Sequence, residues 1–200
     1  ILNETLEARL YTKESWDLPP ILKESLPKIQ LVYQPESTQD IREIFSCSRK
    51  KRIPVIPRGA ATSGMGGILP LKKSIMADLC RLNKILDLDL KNKTVTLEAG
   101  LRWWDLKQFL KRYSLDIFTC PTSLFSSVGG WLSTGGYGIN SFQHGHVGRL
   151  VESIEIMTPS KTLFLNSGDR RFKLLPGSEG QLGILTKVKL KVRETSKAKP

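Results

Sequence analysis

Between Ser37 and Arg52 the apolar positions Ile41, Ile44 and Phe45, joined by Ser48, fall on one side of a 3.6-residue repeat, while Arg42 and Glu43 fall on the other. Ser37 followed three residues later by Asp40 has the spacing of a capping box. The run Arg49, Lys50, Lys51, Arg52 closes the same stretch, where cations meet the negative end of a helix dipole. The pattern predicts a helix there. A second helical repeat over 103–113 is marked by Leu106, Phe109, Leu110 and Tyr113. Strands are predicted by apolar runs at 53–56 and 75–79, by alternation at 94–98, and at 151–157, 162–165 and 184–193. Residues 1–34 read as a weak helical start and a connector broken by Pro19, Pro20 and Pro27. Strands alternate with helices in the first half and dominate the second. The expected fold class is α+β with two lobes, one about 1–92 and one about 93–193, followed by a tail at 194–200.

Composition narrows this picture. The 200 residues are 40% hydrophobic and 25% charged, an ordinary globular balance. No run approaches the roughly 18 apolar residues that a membrane-spanning helix needs. The chain opens on Ile1 rather than Met, which reads as a trimmed piece. Three separated cysteines, Cys47, Cys80 and Cys120, argue against a disulfide framework and for a reducing compartment, so cytoplasmic is the expected location, with peripheral membrane association kept open.

The net charge of +12 invites a nucleic-acid reading. Its distribution weakens that reading. Residues 187–193 alternate basic and apolar, as a strand with one solvated face does. No recognition helix, finger or aromatic-rich RNA motif is present, so nucleic acid is not an expected partner. Attraction of an anionic cofactor or substrate is the functional use that remains, beside plain solubility.

Candidate chemistry sits in three segments rich in small residues. The first, P-R-G-A-A-T-S-G-M-G-G at 57–67, follows a predicted buried strand. Glycine and alanine let backbone N–H groups approach an anion, and Thr62 and Ser63 add hydroxyls. It fits neither G-x-G-x-x-G nor the P-loop pattern. The second, C-P-T-S-L-F-S-S-V-G-G-W-L-S-T-G-G-Y-G at 120–138, repeats the theme, and P-G-S-E-G-Q-L-G-I-L-T at 176–186 is a third turn feeding a strand. Two such loops in one small domain suggest a long anionic ligand clamped from both sides.

Together the three segments resemble the FAD-binding domain of the vanillyl-alcohol oxidase / p-cresol methylhydroxylase family, colinearly from about residue 30 to residue 193. Within it, S-L-F-S-S-V-G-G-W-L-S-T with I-M-T-P at 156–159 is similar to alkyl-dihydroxyacetone-phosphate synthase, and the remainder to D-lactate dehydrogenase and glycolate oxidase flavin subunits. The resemblance implies a PCMH-type fold whose two α/β subdomains clamp FAD. It places Arg58, Gly59, Ala60, Ala61, Thr62 and Ser63 around the pyrophosphate. Pro121, Thr122, Ser123, Ser127, Val128, Gly129 and Gly130 would line the ribityl chain and flavin ring, and Ser133, Gly135 and Gly138 would continue that wall. Ile184 would hold the adenine by its backbone. Glu98, Ala99 and Gly100 match a turn whose glycine lets the chain pass near the cofactor, and Glu179 is expected to fix its own turn.

Departures refine these expectations. The position of a flavin-linking histidine falls near Thr62 and Ser63, so that linkage is absent. Cys120, Pro121 and Thr122 match the C-P-T of thioether-linked members, yet the distance to Gly129 is that of non-covalent ones. Non-covalent FAD is expected, with a Cys120 linkage as the alternative and a small packed thiol as its plain reading. His144 and His146 lack a third ligand and are read as structural, with no metal site. Trp103 and Trp104 are expected to pack between lobes. Asp87, Asp89 and Asp105 show no acid/base pairing, and the catalytic residues stay unknown.

The resemblance implies an FAD-linked oxidoreductase oxidising a D-2-hydroxy acid of the lactate or glycolate type, with its substrate wall supplied by a cap domain absent here or by a partner subunit. The alternatives are a synthase-like flavin-dependent transferase and a non-catalytic module that binds an anionic ligand or nucleic acid.

Overall fold

The computed structural model describes residues 29–195, together with 19–21, 26 and 27. The weak helix expected at the start of the chain lies outside the described residues. Two sheets organise the molecule. The smaller contains β1 (Ile29–Tyr33), β2 (Val55–Arg58) and β3 (Ser74–Asp78), all parallel in the order β1-β3-β2. The central strand β3 is buried along its whole length, as a parallel strand covered on both faces should be. Helix α1 (Thr38–Lys51) crosses between β1 and β2. Ser37 accepts from the Asp40 N–H at 3.2 Å, Asp40 accepts from the Ser37 N–H at 3.0 Å, and Arg52 closes the helix in the left-handed region. Its stripe of Ile41, Ile44 and Phe45 is buried against Ile75 and Ala77 of β3.

The larger sheet is antiparallel, in the order β4 (Ile85–Asp89), β5 (Thr94–Glu98), β9 (Ile184–Lys191), β7 (Val151–Met157), β8 (Thr162–Asn166). The change of sheet falls between Asp78 and Ile85, ahead of residue 93. Helices α2 (Trp103–Lys111) and α3 (Val128–Ser133) set Leu106, Leu110, Val128 and Leu132 in one core with Val95, Leu97, Ile154 and Val188. The opposite face of β9 carries Lys187 and Lys189, which meet Glu155 at 3.0 Å and Glu152 at 3.6 Å. A short helix α4 (Ser141–His144) follows α3, and β6 (Leu115–Asp116) pairs with β10 (Arg193–Glu194). The expected strand 184–193 is therefore two strands in two sheets, divided at the buried Val192.

The two lobes share their packing. Met157 and Ile184, at the ends of β7 and β9, belong to the core of α1 and the smaller sheet. Among the described residues no helix is long and apolar enough to cross a membrane.

Candidate functional site

The first small-residue loop leaves the C-terminal end of β2 beside Asp78, whose side chain is almost fully buried and accepts from the Cys80 N–H at 3.2 Å. Arg58 turns its guanidinium toward Asp78 at 3.6 Å and donates to the Gly59 carbonyl at 3.3 Å. Beyond it the backbone stops pairing. The N–H groups of Ala60, Ala61, Thr62 and Ser63 find no acceptor among the described residues. Ala61 sits at φ 53°, a left-handed conformation that is costly for a residue with a Cβ. Consecutive open amides around a left-handed residue form a concave anion-binding nest.

The second segment presses directly on the first. Ser127 caps α3 by accepting from the Gly130 N–H at 3.3 Å. A Cβ built on Gly59 would lie 2.3 Å from the Ser127 Oγ, and one on Gly130 would lie 2.7 Å from it. Only two residues lacking side chains let the loops approach so closely. Thr62 and Ser126 join their hydroxyls across the gap at 2.6 Å. The Gly129 N–H donates to the Ala99 carbonyl at 2.8 Å, and the Ser133 hydroxyl to the Gly129 carbonyl at 2.8 Å. The third segment is tied in where the Glu179 N–H donates to the Ser133 carbonyl at 2.9 Å.

These contacts enclose a cleft of about 560 Å³. Gly59, Ala60, Ala61, Thr62, Ser63, Pro121, Thr122, Ser123, Ser127, Gly129, Gly130 and Ser133 all line it. Five expected residues do not. Arg58 is drawn to Asp78, Val128 and Ile184 are buried in the two cores, Gly138 packs on the Cys120 carbonyl, and Gly135 lines a neighbouring cleft. The glycine of the Glu98–Gly100 turn is required by backbone rather than by the cleft, since a Cβ there would fall 2.0 Å from the Leu79 carbonyl oxygen; Ala99 is the lining residue. The walls also include Ile68, Trp131, Tyr137, Glu179 and Leu185, which the sequence reading did not place there. Glu179 has a sequence signal in its G-S-E-G turn. Ile68, just beyond the first segment, does not.

Other candidates resolve elsewhere. Cys120 is buried in the larger core and does not line the cleft, and burial pushes its thiol pKa up. Trp103 is fully buried within the larger lobe rather than between lobes, edge-on to Trp131 at 5.2 Å, and Trp104 stacks on Phe125 in partial exposure. His144 lies edge-on to Phe118, and His146 Nδ1 accepts from the Gly148 N–H at 3.1 Å. Among the described residues no three His, Cys, Asp or Glu side chains gather as a metal site would require. Asp89 accepts from the backbone N–H and side chain of Asn92, which lower its pKa, and Asp105 pairs with Arg102 at 2.8 Å.

Amides with no acceptor among the described residues and the capped glycine-rich helix α3 thus line the same cleft. The FAD binding domain family matches residues 29–164, well over half of the sequence, and the chain belongs to that family. FAD is its cofactor. Alkyldihydroxyacetonephosphate synthase of Dictyostelium discoideum is 29% identical over 178 residues, covering 84% of this chain and 29% of the synthase. D-lactate dehydrogenase of Anaerostipes hadrus is 29% identical over 171 residues, covering 82% of this chain and 36% of that protein. Glycolate oxidase subunit GlcD of Escherichia coli K12 is 29% identical over 170 residues, covering 81% and 34%. A solved structure of alkyldihydroxyacetonephosphate synthase superposes with a TM-score of 0.77 at 29% identity, over 84% of this chain and 34% of that one. The chain thus spans about a third of the length of the relatives it matches. The fold is that of PCMH-type FAD-binding domains.

Proposed function

We propose that this chain is the cofactor-holding part of a flavin-dependent oxidoreductase acting on a D-2-hydroxy acid. The observation that carries the reading is the row of open amides at Ala60, Ala61, Thr62 and Ser63 on the wall of a cleft whose opposite wall is built from Ser127, Gly129 and Gly130. Open N–H groups of this kind offer a pyrophosphate partial positive charge without a cationic side chain there. Arg58 acts from behind: paired with Asp78, it fixes the end of β2 from which the loop departs. Pro121, Thr122, Ser123 and Ser133 provide the wall for the ribityl chain and ring, with Val128, Gly135 and Gly138 backing it. Ile184 has its side chain committed to the core, so only its backbone can serve the adenine.

When bound, FAD supplies two-electron chemistry, accepting a hydride at N5 from the carbon that bears the hydroxyl. The protein's part is to orient the ring and exclude water from one face. Glu179 is the carboxylate on the cleft wall among the described residues, and the rest of the substrate wall would come from a further domain or a partner subunit. The synthase superposition favours one second reading, alkyl transfer on a dihydroxyacetone-phosphate derivative.

The test is the visible absorption spectrum of the purified chain after incubation with FAD, before and after acid precipitation. Flavin bands that pass to the supernatant are expected, because Cys120 is buried away from the cleft. Colour held in the pellet would overturn the non-covalent reading, and failure to take up any FAD would overturn the whole proposal. Dye reduction by the complete protein with D-lactate or glycolate, set against turnover of an acyl-dihydroxyacetone-phosphate analogue, separates the two activities.

A further inference from the structure

A second cleft of about 440 Å³ adjoins the first, and Tyr137 lines both. Its walls include Arg149, Lys173, His146 and Ser167, and no Asp or Glu. Among the described residues neither Arg149 nor Lys173 has a carboxylate within ion-pair distance, whereas Arg171, on the same turn as Lys173, is spent on Asp169 at 2.6 Å. A Cβ built on Gly145 would lie 2.7 Å from the Arg149 Cδ and 3.3 Å from its Nε, so the arginine stem lies across a glycine that leaves it room. His146 gives its Nδ1 to the Gly148 N–H, which leaves Nε2 as its only donor, and its ring stands 5.6 Å from that of Tyr137.

We propose that this cleft is a subsite for the anionic group, carboxylate or phosphate, of the substrate. The inference deepens the proposed function and rests on it: Tyr137 lines both clefts, so an anion held by Arg149 and Lys173 lies beside the cofactor cleft. A planar guanidinium with a nearby ammonium and a hydroxyl is the donor set that both oxyanions share. The lactate, glycolate and dihydroxyacetone-phosphate in the names of the relatives all carry one.

The experiment uses the FAD-loaded chain and follows backbone amide NMR shifts during separate titrations with inorganic phosphate and D-lactate at constant ionic strength. Saturable shifts centred on Gly135, Gly148 and Phe172 are expected with at least one of the two. Arg149→Ala combined with Lys173→Ala weakens that binding by roughly tenfold, the scale of one lost charge-assisted hydrogen bond, without changing FAD affinity. Lys50→Ala with Lys51→Ala removes the same charge from the end of α1 and leaves binding as it was. Saturation by phosphate alone assigns the site to a phosphate-bearing substrate, and by D-lactate alone to a carboxylate. Shifts that never saturate, or that both double variants weaken equally, overturn the subsite. Saturable phosphate binding by a chain that takes up no FAD overturns the link to the cofactor and leaves only a bare anion site.

Discussion

The loop after β2 and the segment around α3 are both rich in small residues in sequence and have opposite roles in the structure. Residues 60–63 leave four backbone amides without an acceptor among the described residues and hold Ala61 in a left-handed conformation. Around α3 most are satisfied: Ser126 donates to Ser123, Val128 to Leu101, Gly129 to Ala99 and Gly130 to the capping Ser127. One wall of the cleft is therefore an unfinished surface that a ligand completes, and the other is a finished frame that sets its position. Small residues alone do not distinguish the two. What distinguishes them is whether the neighbouring backbone accepts their N–H groups.

The comparison breaks most completely where both walls are anchored. Gly100→Ala drives a methyl into the Leu79 and Leu82 carbonyls, 2.0 and 2.7 Å away, which are rigid backbone at the end of the first lobe. A loss of about 3 kcal/mol in urea unfolding is expected, with FAD binding lost alongside. Ala61→Pro acts on the unfinished wall only, since it deletes an open amide and forbids the φ of 53°. FAD affinity in a fluorescence titration falls about a hundredfold, while Ala61→Gly, which keeps the amide, stays within about threefold. The frame is sharpened by a cycle. Gly59→Ala costs about 2 kcal/mol against the Ser127 hydroxyl, Ser127→Ala costs about 1 kcal/mol as a lost cap, and the double variant costs less than their sum because the clash has gone.

The smallest effect lies outside both walls. The Arg171 side chain bonds Asp169 and holds its pKa at about 2. A lowered carboxylate pKa means that the contribution of this turn is complete above the ordinary aspartate value and fades as pH falls toward 2. Arg171→Ala should raise the Asp169 titration, followed by carboxyl NMR, only part of the way to the ordinary aspartate value, because the backbone N–H of residue 171 still donates to it, with FAD affinity unchanged.

The sequence made the frame of the fold legible wherever a periodic pattern met a cap, as at α1, or a continuous apolar run, as at β3. Three of the elements it hid were hidden for separate reasons. β1 follows Pro27 and reads as connector because its pairing partner, β3, is more than 40 residues away. β4 is an edge strand whose Asp87 and Asp89 mask its alternation. α3 begins V-G-G, a poor helix former in isolation, and is helical because Ser127 caps it and Val128 and Leu132 are buried. The cleft was legible through its small-residue motifs, and twelve of the expected residues meet there. Ile68, just beyond the first segment, reaches it through tertiary packing, which leaves no local mark.

The most direct measurement of the central claim is an amide NMR titration of the chain with FAD. The N–H signals of Ala60, Ala61, Thr62 and Ser63 should move furthest and become protected from solvent exchange, while those of Val128 and Gly129, already bonded, shift little. FAD binding that leaves the first four unmoved would contradict the account.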